Sequence, residues 1–168
     1  AYWEISRDFY IPGIKNVKNL EQLTFHIEYN DGFMAYKASE DTMSALSYNS
    51  VFLTGFGYPV KIGNVVLSTM ILCRIPRGMD VPDFQFTTVW FQPLWKDRIL
   101  LTGFLDIWSQ DKISNSDKKE IVIQTEPQLW FMITSKIALG GEVEISKNFP
   151  VGPNKWEFMP TIGFRWEF

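Results

Sequence analysis

The segment WEFMPTIGFRWEF, residues 156–168, alternates strictly between two kinds of side chain. One face carries Trp156, Phe158, Pro160, Ile162, Phe164, Trp166 and Phe168, and the other carries Glu157, Met159, Thr161, Gly163, Arg165 and Glu167. A period of two residues is that of a β-strand. The apolar face is largely aromatic, with Trp near both ends, which is how side chains are placed between the two interfacial girdles of a membrane barrel. We therefore expect a lipid-facing strand of a transmembrane β-barrel.

The composition agrees with strands that have one apolar side. Of the 168 residues, 46% are apolar and 16% are aromatic, yet the mean hydropathy is close to zero. The longer apolar runs, such as Val65–Cys73, are far shorter than the roughly 20 residues of a spanning helix. A net charge of −3 without a basic stripe argues against nucleic acid as a partner. The single cysteine, Cys73, cannot form an internal disulfide, and we expect it to be a small buried side chain.

Alternation along the chain predicts an all-β, antiparallel protein with about nine strands and no helix. The segments are residues 1–11, 20–30, 48–59, 63–74, 83–93, 98–110, 119–132, 136–148 and 155–168. Tight turns are expected at residues 59–63, 93–98 and 133–136, and longer polar loops at residues 31–47, 74–82, 111–118 and 148–155. Short turns on one side and long loops on the other are typical of outer-membrane barrels. Pro127 and Pro160 fall inside predicted strands, where we expect bulges because proline has no N–H to donate.

The strand count bears on how much of the barrel is present. Bacterial barrels of one chain have an even number of strands, whereas about nine strands would place Ala1 on the external rim. The chain also starts inside a strand-like pattern. We expect residues 1–168 to be a single barrel domain, the carboxy-terminal part of a larger barrel that lacks its first strands here. The alternative is that the count is wrong by one strand.

Several segments resemble a known family. They are AYWEISRDF (residues 1–9), FHIEYNDG (25–32), TEPQLWF (125–131), GGEVEISKNF (140–149) and PTIGFRWEF (160–168). They look like an outer-membrane group related to Tsx, the nucleoside-specific channel. The resemblance covers most of the chain, and its last three segments are the most specific. It implies a bacterial outer-membrane barrel of about twelve antiparallel strands, of which about three would be missing here. For activity it implies passive entry of nucleosides or similar small polar solutes.

If the apolar row of each strand faces lipid, the opposite row is predicted to line a pore. Its candidate pore-lining residues are Glu4, Asp8, His26, Glu28, Phe104, Asp106, Trp108, Gln124, Glu126, Gln128, Glu142, Glu144, Glu157 and Arg165. Carboxylates predominate, so the lumen should favour cations and neutral polar solutes over anions. Phe104 and Trp108 could stack a planar base while Gln124 and Gln128 satisfy its edge. Alternatively, these side chains only pair with one another to fill a narrow interior.

Catalytic and metal chemistry are not expected. His26 is the only histidine, and Thr24, His26 and Glu28 follow one strand face at a spacing of roughly 7 Å, too far for a nucleophile, base and carboxylate to meet directly. Pairing of His26 with a lumen carboxylate is the favoured role. The sequence has one histidine, one cysteine and no close cluster of ligands, so no metal site is expected. It also has no Gly-rich phosphate loop, so no nucleotide cofactor is expected.

Three functional classes follow from these patterns. The favoured one is a channel for a small polar solute in outer-membrane lipid. The second is a plugged accessory barrel that works through protein partners in a larger outer-membrane assembly. The third is a soluble ligand-binding barrel of the lipocalin type, whose inner face would be the apolar one.

Overall fold

A computed structural model describes residues 2–39, 42–47, 50–78, 81–112, 115–149 and 154–167. Within these ranges the chain forms eleven β-strands, with antiparallel pairing wherever the register is recorded, and no helix. The strands are β1 (Tyr2–Tyr10), β2 (Thr24–Ser39), β3 (Thr42–Ser47), β4 (Val51–Ile62), β5 (Val65–Pro76), β6 (Asp83–Leu94), β7 (Ile99–Lys112), β8 (Asn115–Thr125), β9 (Gln128–Met132), β10 (Ile137–Lys147) and β11 (Trp156–Trp166). None of the described elements is a helix long and apolar enough to cross a membrane.

The chain divides into two compact units. The first comprises residues 1–57 and 71–84. In it β2 pairs with β1 on one side, with Asp8 opposite His26, and with β4 on the other, with His26 opposite Gly55. The far end of β2 forms a hairpin with β3.

The second unit comprises residues 58–70 and 85–168. Here β7 pairs with β6 and with β8, and β10 pairs with β8 and β11. Strand β9 continues the line of β8, since it pairs with the same two neighbours, β7 and β10. Strands β8 and β9 thus occupy one position in the sheet, between β7 and β10.

Burial in the first unit is the reverse of that in a soluble protein. The buried side chains include His26 at 3% exposure and Asn30 at 5%. The large apolar side chains Ile5 and Ile71 are 67% and 61% exposed. Aromatic rings of the exposed side contact each other across neighbouring strands, as Phe25 of β2 and Phe56 of β4 do at 5.9 Å between ring centres. In this unit polar side chains are therefore buried together with Val51, Leu53 and Leu72, while large apolar side chains are exposed.

The second unit shows the same reversal. Gln85, Thr87 and Ser146 are buried, whereas the apolar side chains of β11 are half to fully exposed, up to 91% at Ile162. Some apolar residues, such as Val122 and Ala138, do lie on the buried side. Below, the buried side of each unit is called its polar face and the exposed side its apolar face.

The expected all-β, antiparallel architecture is confirmed, but the strand count is wrong. Each of the nine predicted segments overlaps a strand, and the predicted tight turns are found around Gly63, between Leu94 and Ile99, and at residues 133–136. Within the loop expected at residues 31–47, residues 31–39 and 42–47 are instead strand, because β2 continues to Ser39 and pairs with β3. Most of residues 111–118 also extends β7 and β8. Parts of the loops at 74–82 and 148–155 lie outside the described residues.

The two prolines do not mark bulges. At Pro127 the ladder is interrupted between β8 and β9, but the register with β7 and with β10 is the same on both sides of the break. Pro160 lies within β11 in an unbroken register with β10, opposite Val143. A missing N–H thus removes a hydrogen bond without inserting a residue.

Gly103 lies on β7 opposite the break at Pro127. Its φ of +150° falls in a region that side chains disfavour. A Cβ at this position would meet the Glu126 carbonyl oxygen and the Trp90 ring. Glycine is therefore required where β7 passes the break.

Cys73 was expected to be buried, and that expectation is wrong. It is exposed on β5 beside Ile71 and Ile75, in the same apolar row. A free thiol is a small apolar group, which suits this row as well as it suits a core.

Candidate functional site

The polar face of the first unit is organised around His26. Its Nδ1 lies 2.9 Å from Asp8 Oδ1 on β1. Its Nε2 lies 3.0 Å from Glu28 Oε2 on β2, the strand that carries His26 itself. The ring is 3% exposed, while the side chain of Glu28 is 11% exposed and that of Asp8 is 59% exposed. The predicted pairing of His26 with a carboxylate is found, and it involves two carboxylates.

The two contacts restrict where protons reside. Carboxylate oxygens accept hydrogen bonds, so both ring nitrogens must donate if both acids are ionised, and the ring is then an imidazolium. A neutral ring would require a proton on one of the two acids. No nucleophilic hydroxyl bonds to the ring, since both nitrogens are engaged by acids, and the Thr24 hydroxyl donates to the Gly57 carbonyl at 3.3 Å. The arrangement suits a fixed charge network better than acyl transfer.

Asn30 completes this network and was not predicted. Its Nδ2 donates to Glu28 Oε1 at 2.6 Å, so both oxygens of Glu28 are engaged. The position could have been found by counting two residues on from Glu28, which keeps the side chain on the same face. Glu4, predicted in the same row, is exposed and lies opposite Asn30 in the strand register.

The polar face of the second unit carries a row of carboxylates and amides. Gln128 Nε2 donates to Glu126 Oε1 at 2.6 Å, and Gln124 Nε2 donates to Glu144 Oε1 at 3.2 Å. Glu142 lies opposite Gln128 in the strand register, and the carboxyl groups of Glu142 and Glu144 are both close enough to Glu126 to repel a negative charge on it. Five predicted residues therefore form one connected group, here called the acidic row: Gln124, Glu126, Gln128, Glu142 and Glu144.

Trp130 adjoins the acidic row and was not predicted. Its Nε1 donates to Gln128 Oε1 at 3.0 Å. The ring lies over two glycines that face each other on β10 and β11, because a Cβ built on Gly140 or Gly163 would approach it to 2.8 or 2.9 Å. One hydrogen bond and packing against these two glycines thus hold the indole in place. Gly140 and Gly163 are called the glycine seat below. The signal in the sequence was again parity, since Trp130 follows Gln128 by two residues.

Trp108 was predicted to offer a stacking surface for a planar base. It lies on the polar face but is only 3% exposed. Its Nε1 donates to Gln110 Oε1 at 3.2 Å, and its ring packs edge to face on Phe149 at 5.3 Å. Asp106, also predicted, accepts from the Thr87 hydroxyl at 2.6 Å. Phe104 is half-buried, and its carbonyl accepts from the Thr125 hydroxyl and the Glu126 N–H.

The predicted residues of β11 lie apart from the acidic row. Arg165 forms an ion pair with Glu167, a residue that was not predicted. Glu157 lies opposite Ser146 in the register with β10. Arg165, the one arginine proposed for the pore wall, is thus paired near the end of β11. Within the described part of the chain, no ion pair joins a cationic side chain to the acidic row.

The chain matches one protein family over its whole length. Residues 1–168 match the family described as a domain of unknown function (DUF5020). The chain belongs to the DUF5020 family. No curated protein and no solved structure matches it.

Across the described residues of this DUF5020 chain, no group of three or more His, Cys, Asp or Glu side chains could hold a metal ion. The polar faces instead offer two kinds of chemistry. In the first unit, His26 is enclosed by acids, and in the second, carboxylates and amides adjoin an indole ring. Both arrangements can bind or repel charged solutes.

Proposed function

We propose that this DUF5020 chain is part of a transmembrane β-barrel of the bacterial outer membrane that admits nucleosides or similar small polar solutes. The observation that carries the proposal is the reversed burial in each unit, with polar side chains buried and large apolar ones exposed. Monomeric soluble proteins rarely expose such continuous apolar surface, whereas lipid tails accept it.

The same observation weighs against a soluble barrel of the lipocalin type. Such a barrel would place its apolar rows inside and its polar rows in water. Here Ile162 and Phe164 of β11 are exposed, while Ser146 of the neighbouring β10 is wholly buried. Solubility without detergent would contradict the membrane proposal.

The acidic row supports a preference among solutes. It contains three carboxyl groups, whereas Arg165 of β11 forms its ion pair with Glu167. Unbalanced carboxylates in a confined space create a negative potential that attracts cations and repels anions. Neutral solutes with hydroxyl and amine groups could also exchange hydrogen bonds with the glutamine amides.

One observation favours the alternative of a plugged accessory barrel with protein partners. Many polar side chains of each unit bond to one another, and Trp108 is 3% exposed and packed on Phe149. Side chains that satisfy each other in this way can fill a barrel and leave no pore. Under this alternative, the barrel would fold in lipid but conduct nothing.

The deciding experiment is single-channel recording of the full-length protein in a planar bilayer, with nucleosides titrated in. We expect discrete openings, larger currents for cations than for anions, and block by nucleosides. A silent bilayer with correctly folded protein would refute the channel and favour the plugged barrel. As a control, folding in the same lipid is checked by circular dichroism before each recording.

A further inference from the structure

Trp130 and the acidic row together form a candidate binding surface on the polar face of the second unit. Trp130 is partly exposed, unlike Trp108, which is buried. Its position is fixed through Gln128, and the glycine seat on β10 and β11 supports its ring. An indole that is held in place but still partly open loses little conformational freedom when it binds a ligand.

The charges beside this ring point to a cationic ligand. Glu142 lies opposite Gln128, which donates to Glu126, and Gln124 donates to Glu144, so the three carboxyl groups of the row are held close together on one face. A cation placed here would relieve the repulsion between them. The face of an indole also attracts cations, more strongly than that of any other side chain. Ser146, in the same row of β10, adds a buried hydroxyl with no hydrogen-bond partner in the described part.

We propose that Trp130, Glu126 and Glu142 form a binding site for organic cations, such as a quaternary ammonium or a protonated amine on a small apolar body. The indole binds the cationic centre and its methyl or methylene groups, and the carboxylates balance its charge. This inference rests on the proposed channel, because it assigns the class of solute that the polar face selects. A metal ion is a poorer ligand, since the described residues contain no group suited to metal coordination.

The chain offers a matched control for this site. Trp108 donates to Gln110 at 3.2 Å, and Gln110 donates to Glu120 at 3.1 Å, which repeats the order Trp, Gln, Glu found at Trp130. In this second set, formed by Trp108, Gln110 and Glu120, the indole is buried. Changes at Trp108 and Glu120 therefore remove the same chemical groups without touching the proposed site.

The test is calorimetric titration of choline into the folded full-length protein in detergent. Its companion ligand is the neutral alcohol in which carbon replaces the choline nitrogen. We expect choline to bind at least about tenfold more tightly than this alcohol, and Trp130→Leu to weaken choline binding by about tenfold. Trp130→Phe should restore part of the loss, and Glu126→Gln with Glu142→Gln should remove the preference for the cation. Trp108→Phe and Glu120→Gln should leave binding unchanged.

Equal binding of choline and the alcohol would overturn the site, as would unchanged choline binding in Trp130→Leu and Trp130→Phe protein. Because the titration does not depend on conduction, the two proposals can fail separately. Choline binding in a protein that passes no current would refute the channel and keep the site. Nucleoside-blocked currents without choline binding would refute the site and keep the channel. Each variant is first shown to fold by circular dichroism.

Discussion

Replacing Ile162 by arginine should change the free energy of unfolding by very different amounts in a membrane barrel and in a soluble protein. Ile162 is 91% exposed. In water, a substitution at such a surface position changes the free energy of unfolding by no more than about 0.5 kcal/mol. In lipid, the same change buries a charge in the acyl chains.

The position of Ile162 in β11 sets the expected magnitude. A strand advances about 3.4 Å per residue, so Trp156 and Trp166 are about 34 Å apart along it, or about 26 Å along the membrane normal at a tilt of about 40°. This matches an apolar band of about 25 Å. Ile162 is one residue from the middle of this span, so in the proposed membrane barrel it would lie about 3 Å from the midplane. Arginine there should cost about 2 to 4 kcal/mol.

The assay is denaturant unfolding of the full-length protein folded in lipid vesicles, followed by tryptophan fluorescence. The matched control is Thr161→Arg, which has the same depth but the other face, opposite Glu142. It should cost less than about 1 kcal/mol because the new charge meets a carboxylate rather than lipid. Equal effects of the two substitutions, or a neutral Ile162→Arg, would refute a lipid-facing β11.

Three further predictions concern the polar faces and Gly103, which lies opposite the break at Pro127. Gly103→Ala should destabilise the protein by about 1 to 3 kcal/mol in the same unfolding assay, because the methyl group meets backbone and φ is unfavourable; wild-type stability would contradict this. Glu28→Gln should cost more stability than Asp8→Asn, since the first acid is largely buried and the second is exposed; the reverse order would show that the histidine depends on the exposed acid. Glu126→Gln with Glu144→Gln should reduce the cation preference of the current, and an unchanged reversal potential would exclude these acids as its source.

The strands and their faces could be predicted because apolar and polar side chains alternate along many of them. Where the alternation is strict, as in residues 156–168, the period of two is visible without any knowledge of the partner strand. The hairpin of β2 with β3 was missed because its pairing depends on main-chain hydrogen bonds, which leave no trace in side-chain alternation. The bulge expected at Pro127 is wrong, because the strand ladder is interrupted there, opposite Gly103, without a shift of register.

The members of the candidate site could be predicted in part. Parity alone put Gln124, Glu126 and Gln128 in one row, and the structure joins them with Glu142 and Glu144. Parity could not tell an open indole from a buried one. That difference depends on what lies across the sheet: glycines beneath Trp130, and Phe149 against Trp108.

The most direct test of the central claim uses the native cysteine. Cys73 lies exposed in the apolar row of β5. A nitroxide label is attached to it before the protein is folded into vesicles, and collisions with oxygen and with a water-soluble nickel chelate are measured by electron paramagnetic resonance. The control label is on Ser135→Cys, in the β9–β10 turn, in protein that also carries Cys73→Ser. A lipid-facing row predicts frequent collisions with oxygen and few with nickel at Cys73, and the opposite at the turn. Frequent nickel collisions at both positions would contradict the barrel in lipid.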